Sequence, residues 1–456
     1  MLNKTSILIY SLIISMLLLT TAEIAAYPID GYLKTGIRRL LLLQKKHTGE
    51  MKGKKLILGA LQSQEALHLN LYGTIRGSRL HGLPAIDPEL DQSLEALFPG
   101  RLSGYSVALM DISPGRPVRY AARQEEKQYQ PGSVGKLAVL TAFFCELSNI
   151  YPDDFEKRTT LLKNRKVLAG KWALSDHHTI TDFDVEHSSY RRRKVTEKDV
   201  FSLYEWIDYM VSVSNNGAAS IVWREAILMR EFGPDYPTLT QAAADDYFKN
   251  TNRKVLSDQA ENVVNEPLRA LDITTDEWRL GTLFTRGASG IVPPQGGSTG
   301  TPAGLMKWML ALERGNVIDP ASSLEMKRLL YMTDRRIRYG ASSKLKDAAI
   351  YFKSGSLYKC DRNRDPNCKP YAGNVYNYMN SVAIVERPDE TVYMIALMTN
   401  VLNKNSAYDH NRLAGKIDEL FIEQGDCDPS KKQVQFETKK ESAEAEEEGS
   451  VEGEED

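Results

Sequence analysis

Ser133 and Lys136 form a pair whose residue types and spacing could support nucleophilic chemistry. Both lie in the stretch QPGSVGK at 130–136, where a Pro-Gly pair ends the preceding element and an apolar run with helical spacing follows at 137–147. Residues three apart at a helix start face the same side of the first turn, beside backbone N–H groups and the positive end of the helix. We therefore predict that Ser133 is a nucleophile and Lys136 its base, provided that burial or a neighbouring cation keeps the amine neutral.

Two further short motifs follow this pair in the chain. The first, SNN at 214–216, falls between two predicted helices, and the second, KSG at 353–355, ends a predicted strand. A serine and a lysine three apart are weak evidence alone, because SKLK at 343–346 also fits that pattern in a polar turn. Likewise KTG at 34–36 fits the third motif but precedes the serine, so we interpret both matches as accidental. The evidence is the order of the three motifs and the element in which each lies.

This ordered set is the one found in class A β-lactamases and penicillin-binding proteins. Over roughly residues 85 to 425 the chain therefore resembles the serine β-lactamase and penicillin-binding protein superfamily, as a class A β-lactamase-like serine hydrolase. Two positions depart from the pattern: Asn215 stands where the lactamases usually have Asp, and Ser354 stands where Thr is common, which keeps the hydroxyl. The resemblance implies an acyl-enzyme formed with a β-lactam or a D-alanyl-type peptide.

The resemblance also implies a catalytic role for each of five side chains. Ser133 attacks a carbonyl carbon, and neutral Lys136 accepts its proton. Ser214 can relay a proton to the leaving nitrogen, while Asn216 can orient Lys136 and bind a substrate amide. Lys353 places a cation near Lys136 and Ser214, which favours a neutral Lys136 and attracts a substrate carboxylate.

The remaining predicted contacts are with the substrate. The backbone N–H groups of Ser133 and Ser356 are the expected oxyanion hole. Lys353, Ser354 and Gly355 are the expected substrate-binding strand end. No cofactor and no metal are expected, and the expected partner is a small molecule or a peptidoglycan peptide.

The substrate stays open between several alternatives. Class A β-lactamases carry a Glu, closely followed by Leu-Asn, that activates water for deacylation, and no Glu-x-x-Leu-Asn lies between Gly217 and Thr301. Glu266 and Glu277 are the weak candidates, and we interpret both as surface charges. Acylation is therefore expected, but fast lactam hydrolysis is not. An esterase or amidase of the same fold, or a non-catalytic cell-wall-binding protein, are the alternatives.

The order of the predicted elements indicates an α+β fold: an antiparallel sheet flanked by helices, with an inserted all-helical subdomain at about 150–330. Residues 150–195 are expected to be an irregular, exposed insertion, and 250–300 to be mixed. Strands are predicted at 105–111, 118–122, 348–353, 380–386 and 391–399. Helices are predicted at 86–97, 137–147, 196–211 (with Thr196 as its N-cap), 218–229, 238–249, 303–314, 321–332 and 407–423.

The two chain ends differ in composition from the middle. Residues 1–26 have the lysine, the apolar run and the small residues of a signal peptide, so we expect an exported, periplasmic or secreted protein with no membrane span in the mature chain. An uncleaved N-terminal anchor is the alternative. Residues 27–84 form an N-terminal extension without an assigned function, residues 85–425 the hydrolase domain, and 426–456 an acidic tail expected to be disordered.

Charge and cysteines restrict the partners further. The net charge is −2, and no basic run interleaves with aromatic residues, so nucleic-acid binding is not expected.

Cys360 and Cys368 enclose a polar loop and are expected to form a disulfide, which export permits. Cys145 lies in the predicted helix after Ser133 and is expected to be a buried thiol. A zinc site is not expected, because there is no C-x-x-C pair, and His177-His178 is interpreted as a solvated loop.

Overall fold

A computed structural model describes four stretches of the chain: residues 30–98, 103–174, 176–331 and 336–422. The predicted signal peptide at 1–26 and the predicted acidic tail at 426–456 lie outside the described residues, so both stay predictions.

A five-stranded antiparallel sheet organises the described residues, with strand order β2-β1-β11-β10-β9. Strand β9 is therefore one edge of this sheet, and three short two-stranded ladders accompany it. The strands are β1 (Tyr105–Asp111), β2 (Arg119–Arg123), β3 (Lys166–Leu168), β4 (Thr179–Asp184), β5 (Ser189–Lys194), β6 (Val200–Ser202), β7 (Trp278–Arg279), β8 (Thr299–Gly300), β9 (Ala349–Lys359), β10 (Tyr376–Glu386) and β11 (Val392–Asn400).

Helices cover both faces of the sheet and form most of a second half, the helical half, which also carries the three short ladders and is therefore not all-helical as predicted. They are α1 (Tyr32–Thr35), α2 (Arg38–Thr48), α3 (Ile75–Ser78), α4 (Pro88–Ala96), α5 (Lys136–Ile150), α6 (Phe155–Asn164), α7 (Leu203–Val211), α8 (Asn216–Phe232), α9 (Gln241–Asn250), α10 (Arg253–Arg269), α11 (Arg286–Ile291), α12 (Pro302–Glu313), α13 (Pro320–Tyr331) and α14 (Ala407–Ile422). The predicted α+β class is confirmed.

Two apolar cores lie on the two faces of the sheet. On one face, Val107 and Leu109 pack with apolar residues of α4 and α14. On the other, Ala108 and Met110 join the larger core, which includes most of α5. Successive strand residues point to opposite faces, so a strand buried along its whole length, as β1 is, requires cover on both sides.

Helix α5 and its preceding turn form the one stretch of the described residues that is long and apolar enough to cross a membrane. It is 19 residues long, and 72% of its most apolar window is buried inside the protein. That burial is what a core helix of a folded domain requires.

Three predictions from the sequence about secondary structure are wrong. The stretch 150–195 is not irregular: it contains α6 and the β4–β5 hairpin. The anchor of α6 is a buried arginine, Arg158, which donates to the backbone oxygen of Tyr151 at 2.7 Å and to the side chain of Asp319. A buried arginine does not contribute to an apolar pattern, so this helix was not predicted from the sequence.

The predicted helix 196–211 and the predicted strand 348–353 are the other two corrections. Thr196 is not a helix cap, because Val200–Ser202 pairs as a strand and α7 begins after Ser202, which forms a capping box with Glu205. Strand β9 continues to Lys359, so residues 353–355 lie inside the strand and not at its end.

The disulfide prediction is confirmed, since Cys360 and Cys368 are bonded. Cys145 is a free thiol on α5, and burial raises its pKa to about 11.

The described part of the N-terminal extension packs against the helical half. Ile37 and Leu40 belong to the large core. Beside them, Arg39 on α2 forms an ion pair with Asp208 on α7 at 2.5 Å, and each side chain is only 1% exposed. This segment is therefore part of the folded unit around the site.

Replacing Arg39 with methionine should lower the free energy of unfolding by about 3–5 kcal/mol, because Asp208 would stay buried without its cation. Urea unfolding measures this quantity. Lys45→Met on the same helix is the matched control: it removes an exposed pair with Glu50 and should leave the free energy of unfolding nearly unchanged. Equal losses in the two variants would contradict a structural role for the buried pair.

Candidate active site

Ser133 lies in a tight turn, residues Gly132–Gly135, immediately before α5. Gly132 has φ +55°, a conformation that favours glycine, and a Cβ there would lie 2.8 Å from the backbone nitrogen of Ser356. On the facing strand, a Cβ on Gly355 would lie 2.2 Å from the backbone oxygen of Pro131 and 2.8 Å from the nitrogen of Ser133. These two glycines let the turn and β9 meet, which brings both predicted oxyanion-hole amides to one place.

Lys136 occupies the first position of α5, and its side chain is fully buried. Its Nζ lies 3.1 Å from Ser133 Oγ, 2.7 Å from Asn216 Oδ1, and 2.5 Å from the backbone oxygen of Ser214. The structure therefore brings the serine hydroxyl and the amine into hydrogen-bond contact across one helical turn.

Ser214 lies between α7 and α8, where φ is +60°, an unusual value for a residue with a side chain. Its Oγ is 3.3 Å from Lys136 Nζ and accepts a hydrogen bond from Lys353 Nζ at 2.9 Å. Asn215 caps α8 by accepting from the backbone N–H of Ala218 at 2.7 Å. The Ser214 hydroxyl thus connects the two lysines.

Burial controls the protonation of both lysines. It lowers the pKa of Lys136 to about 7, against a smaller opposing effect of the Asp176 carboxylate. It also lowers the pKa of Lys353 well below its ordinary value, and the cations Lys136 and Arg338 add to that shift. With a pKa of about 7, roughly half of the Lys136 amine is neutral at neutral pH, and that neutral fraction can act as a base for Ser133.

Asp176 is a site residue that the sequence did not indicate. One carboxylate oxygen accepts from the backbone N–H groups of Asn216 at 2.7 Å and Gly217 at 3.3 Å, and the other accepts from His178. Burial would raise the pKa of Asp176, but the hydrogen bonds and charge of His178 outweigh it and hold that pKa far below its ordinary value. Asp176 therefore fixes the start of α8, and with it the Asn216 side chain.

The prediction that His177 and His178 are both solvated is only half correct. His177 is exposed, whereas His178 is mostly buried and bonded to Asp176 Oδ1 at 2.7 Å, and both line the cleft beside Ser133. The potential ligand atoms of these three residues lie within 4.8 Å of one another. Both Asp176 oxygens already accept hydrogen bonds, so the group serves as the cap of α8 and not as a preformed metal site.

Arg338 is a second site residue that the sequence did not indicate. Its guanidinium donates to the backbone oxygen of Gly355 at 2.8 Å and to Ser356 Oγ at 3.0 Å. Burial lowers its pKa to about 10, so it stays a cation at neutral pH. No local sequence signal marked this residue, because only the tertiary fold brings it to β9.

The weak carboxylate candidates lie away from this cluster. Glu266 forms an ion pair with Arg230 at 2.6 Å, and Glu277 forms one with Lys307 at 2.7 Å. None of the described residues that line the cleft around Ser133 carries a carboxylate. The surface-charge interpretation of Glu266 and Glu277 fits these contacts.

Comparison with known proteins places the chain in a family. The model of the β-lactamase enzyme family matches residues 163–419, which include Ser214 and Lys353 and begin after Ser133. No curated protein sequence matches.

Solved structures that resemble this one are distant in sequence. A class A β-lactamase from Bacteroides cellulosilyticus is 14% identical, with 73% of this chain and 96% of that chain covered and a TM-score of 0.47. A β-lactamase from Chitinophaga pinensis is 15% identical, with coverages of 73% and 96% and a TM-score of 0.46. A protein described as PBP-A is 14% identical, with coverages of 75% and 100% and a TM-score of 0.45. On the family match, which spans more than half of its residues, this chain belongs to the β-lactamase enzyme family.

Proposed function

We propose that this protein is a serine hydrolase that forms an acyl-enzyme through Ser133 with a β-lactam or a D-alanyl-type peptide. One observation carries the proposal: the buried amine of Lys136, with its pKa lowered to about 7, lies 3.1 Å from the Ser133 hydroxyl. A nucleophile within hydrogen-bond reach of a base that titrates near neutral pH is the arrangement that covalent catalysis requires.

The proposed reaction uses only side chains and amides of this cluster. Ser133 Oγ attacks the substrate carbonyl while its proton moves to Lys136 Nζ, and the N–H groups of Ser133 and Ser356 stabilise the oxyanion. The bond from carbon to nitrogen then breaks. The proton moves from Lys136 through the Ser214 hydroxyl to the leaving nitrogen, since that hydroxyl contacts both lysines.

Substrate binding is assigned to residues 353–355, in the middle of β9. Arg338 places a cationic guanidinium beside this segment and Lys353 Nζ adds hydrogen-bond donors, so both can bind the carboxylate that β-lactams and D-alanyl peptides share. The hydroxyls of Ser354 and Ser356 add hydrogen-bond donors. Asn216 stays available to a substrate amide through its Nδ2, since its Oδ1 is held by Lys136.

Deacylation is the step for which the described site supplies the fewest catalytic groups. Hydrolysis of the ester needs a base that activates water, and the described lining of the cleft has no carboxylate. We infer a long-lived acyl-enzyme and not rapid lactam turnover.

We also propose that the protein is exported. The apolar N-terminal run supports this proposal, and so does the disulfide between Cys360 and Cys368, because such bonds persist in oxidising compartments.

Intact-mass measurement after addition of benzylpenicillin should show one covalent adduct on the protein and none on Ser133→Ala. The adduct should persist after the free drug is removed. Ser343→Ala is the matched control, because this exposed serine begins the second serine–lysine pattern and should label like the unaltered protein. Equal labelling of Ser133→Ala would contradict the nucleophile, and rapid loss of the adduct would contradict slow deacylation.

The second-order rate constant for acylation should rise with pH as Lys136 loses its proton. Since its pKa is lowered to about 7, the rate should rise roughly tenfold per pH unit below that value and level off above it. A pH series of labelling rates from 5 to 9 measures this. A rate that is flat over the range, or that begins to rise only above pH 9, would contradict Lys136 as the base.

A further inference from the structure

The connection between β9 and β10 is a long loop at the mouth of the cleft. It leaves β9 after Lys359, is closed by the disulfide between Cys360 and Cys368, and returns to the sheet at Tyr376. Neither the proposed acylation nor the sheet itself requires this loop. It nevertheless brings the side chains of Pro370 and Tyr371 to the cleft that Ser133 lines.

Two tyrosines form one wall of this cleft. Tyr358, at the end of β9, contacts Tyr371 of the loop with ring centroids 5.4 Å apart and ring planes tilted by 54°. Both rings stay partly exposed, at 37% and 39%. Tyr371 has φ +61°, which costs free energy for a bulky side chain, so the surrounding loop must hold it there.

Another part of the cleft wall is also apolar. Leu280, Leu283 and Phe284 line the same cavity of about 610 Å³, together with Ser133 and Ser356. A cavity with polar groups at the reacting atoms and apolar walls beyond them is the usual form of a site that binds a small molecule.

The position of the two tyrosines decides which part of a substrate they contact. The carboxylate on the leaving side would lie at Lys353 and the Arg338 cation, and the scissile carbonyl would lie at Ser133 and Ser356. The acyl part therefore extends along β9 beyond Ser356, toward Tyr358. Tyr371 also lines the smaller cavity beside Arg338, so its ring borders the reacting centre as well.

We propose that Tyr358 and Tyr371 form a specificity site for an aromatic or apolar substituent on the acyl part of the substrate, held in position by the disulfide-closed loop. This inference rests on the proposed function of Ser133. Aromatic rings that meet at an edge or an offset bind other rings well, and their faces are electronegative, so an anionic acyl substituent is disfavoured.

The test compares acylation by benzylpenicillin, which carries a phenyl ring on its acyl side, with 6-aminopenicillanic acid, which has no acyl substituent. Tyr371→Ala and Tyr358→Ala should each lower the preference, measured as the ratio of the benzylpenicillin rate to the 6-aminopenicillanic acid rate, roughly two- to tenfold, the size of a lost aromatic contact. Tyr408→Ala, at an exposed tyrosine on α14, is the matched control and should keep the preference. A preference unchanged in both cleft variants would overturn the inference.

A second arm separates this inference from the proposed function. In a Ser133→Ala background, calorimetry measures non-covalent binding of the same two compounds, so acylation is not needed. If the unaltered protein is never acylated but Tyr371→Ala still lowers the binding preference, the proposed function fails and the specificity site stands. If neither compound binds, or if Tyr371→Ala leaves the binding preference unchanged, the specificity site is overturned.

A separate variant tests whether the disulfide holds Tyr371 in position. Replacing Cys360 and Cys368 together with serine should reduce the preference for benzylpenicillin as much as Tyr371→Ala does, with labelling by 6-aminopenicillanic acid retained as evidence of a folded site. A preference equal to that of the unaltered protein would show that the loop holds Tyr371 without the bond, and would overturn this part of the proposal.

Discussion

The site depends on the burial of one amine without a carboxylate in contact. Lys136 Nζ is surrounded by a carbonyl, two hydroxyls and an amide oxygen, all neutral acceptors. Burying a charged ammonium among neutral groups costs several kcal/mol, and the group reduces that cost by losing its proton. The core helix α5 fixes the amine in this environment, because its first turn is enclosed by the sheet and by the helical half.

The geometry of the site is set where the two halves of the domain meet. The sheet contributes β9, which carries Lys353 near its middle, and the helical half contributes the Ser214 loop. Asn380 on β10 fixes the turn before α5, since its Nδ2 donates to the backbone oxygens of Gln130 and Pro131, both at 3.0 Å. The turn that carries the nucleophile is therefore held by the sheet, while Ser214 and Asn216, which contact its base, belong to the helical half.

Much of the fold could be predicted from local sequence, because most elements here carry an apolar period or a cap. Strand β1 has the predicted bounds, and the helix predicted at 303–314 is observed at Pro302–Glu313. The five predicted catalytic side chains meet in one cluster, although their roles stay proposals. Elements anchored by buried charges, such as α6 with Arg158, gave no such period. Asp176 and Arg338 were missed because only tertiary contacts give them a function, and neither belongs to a motif.

Asp176 also explains why a carboxylate close to the base need not make this site a fast hydrolase. Both of its oxygens accept hydrogen bonds, from the start of α8 and from His178, and its pKa lies far below the ordinary value. A carboxylate so strongly stabilised in its ionised form is a poor base for water. Its charge instead raises the pKa of Lys136 slightly against the effect of burial, so that the amine titrates near neutral pH. The same carboxylate thus adjusts the base that accepts the serine proton and contributes little to hydrolysis of the ester that follows.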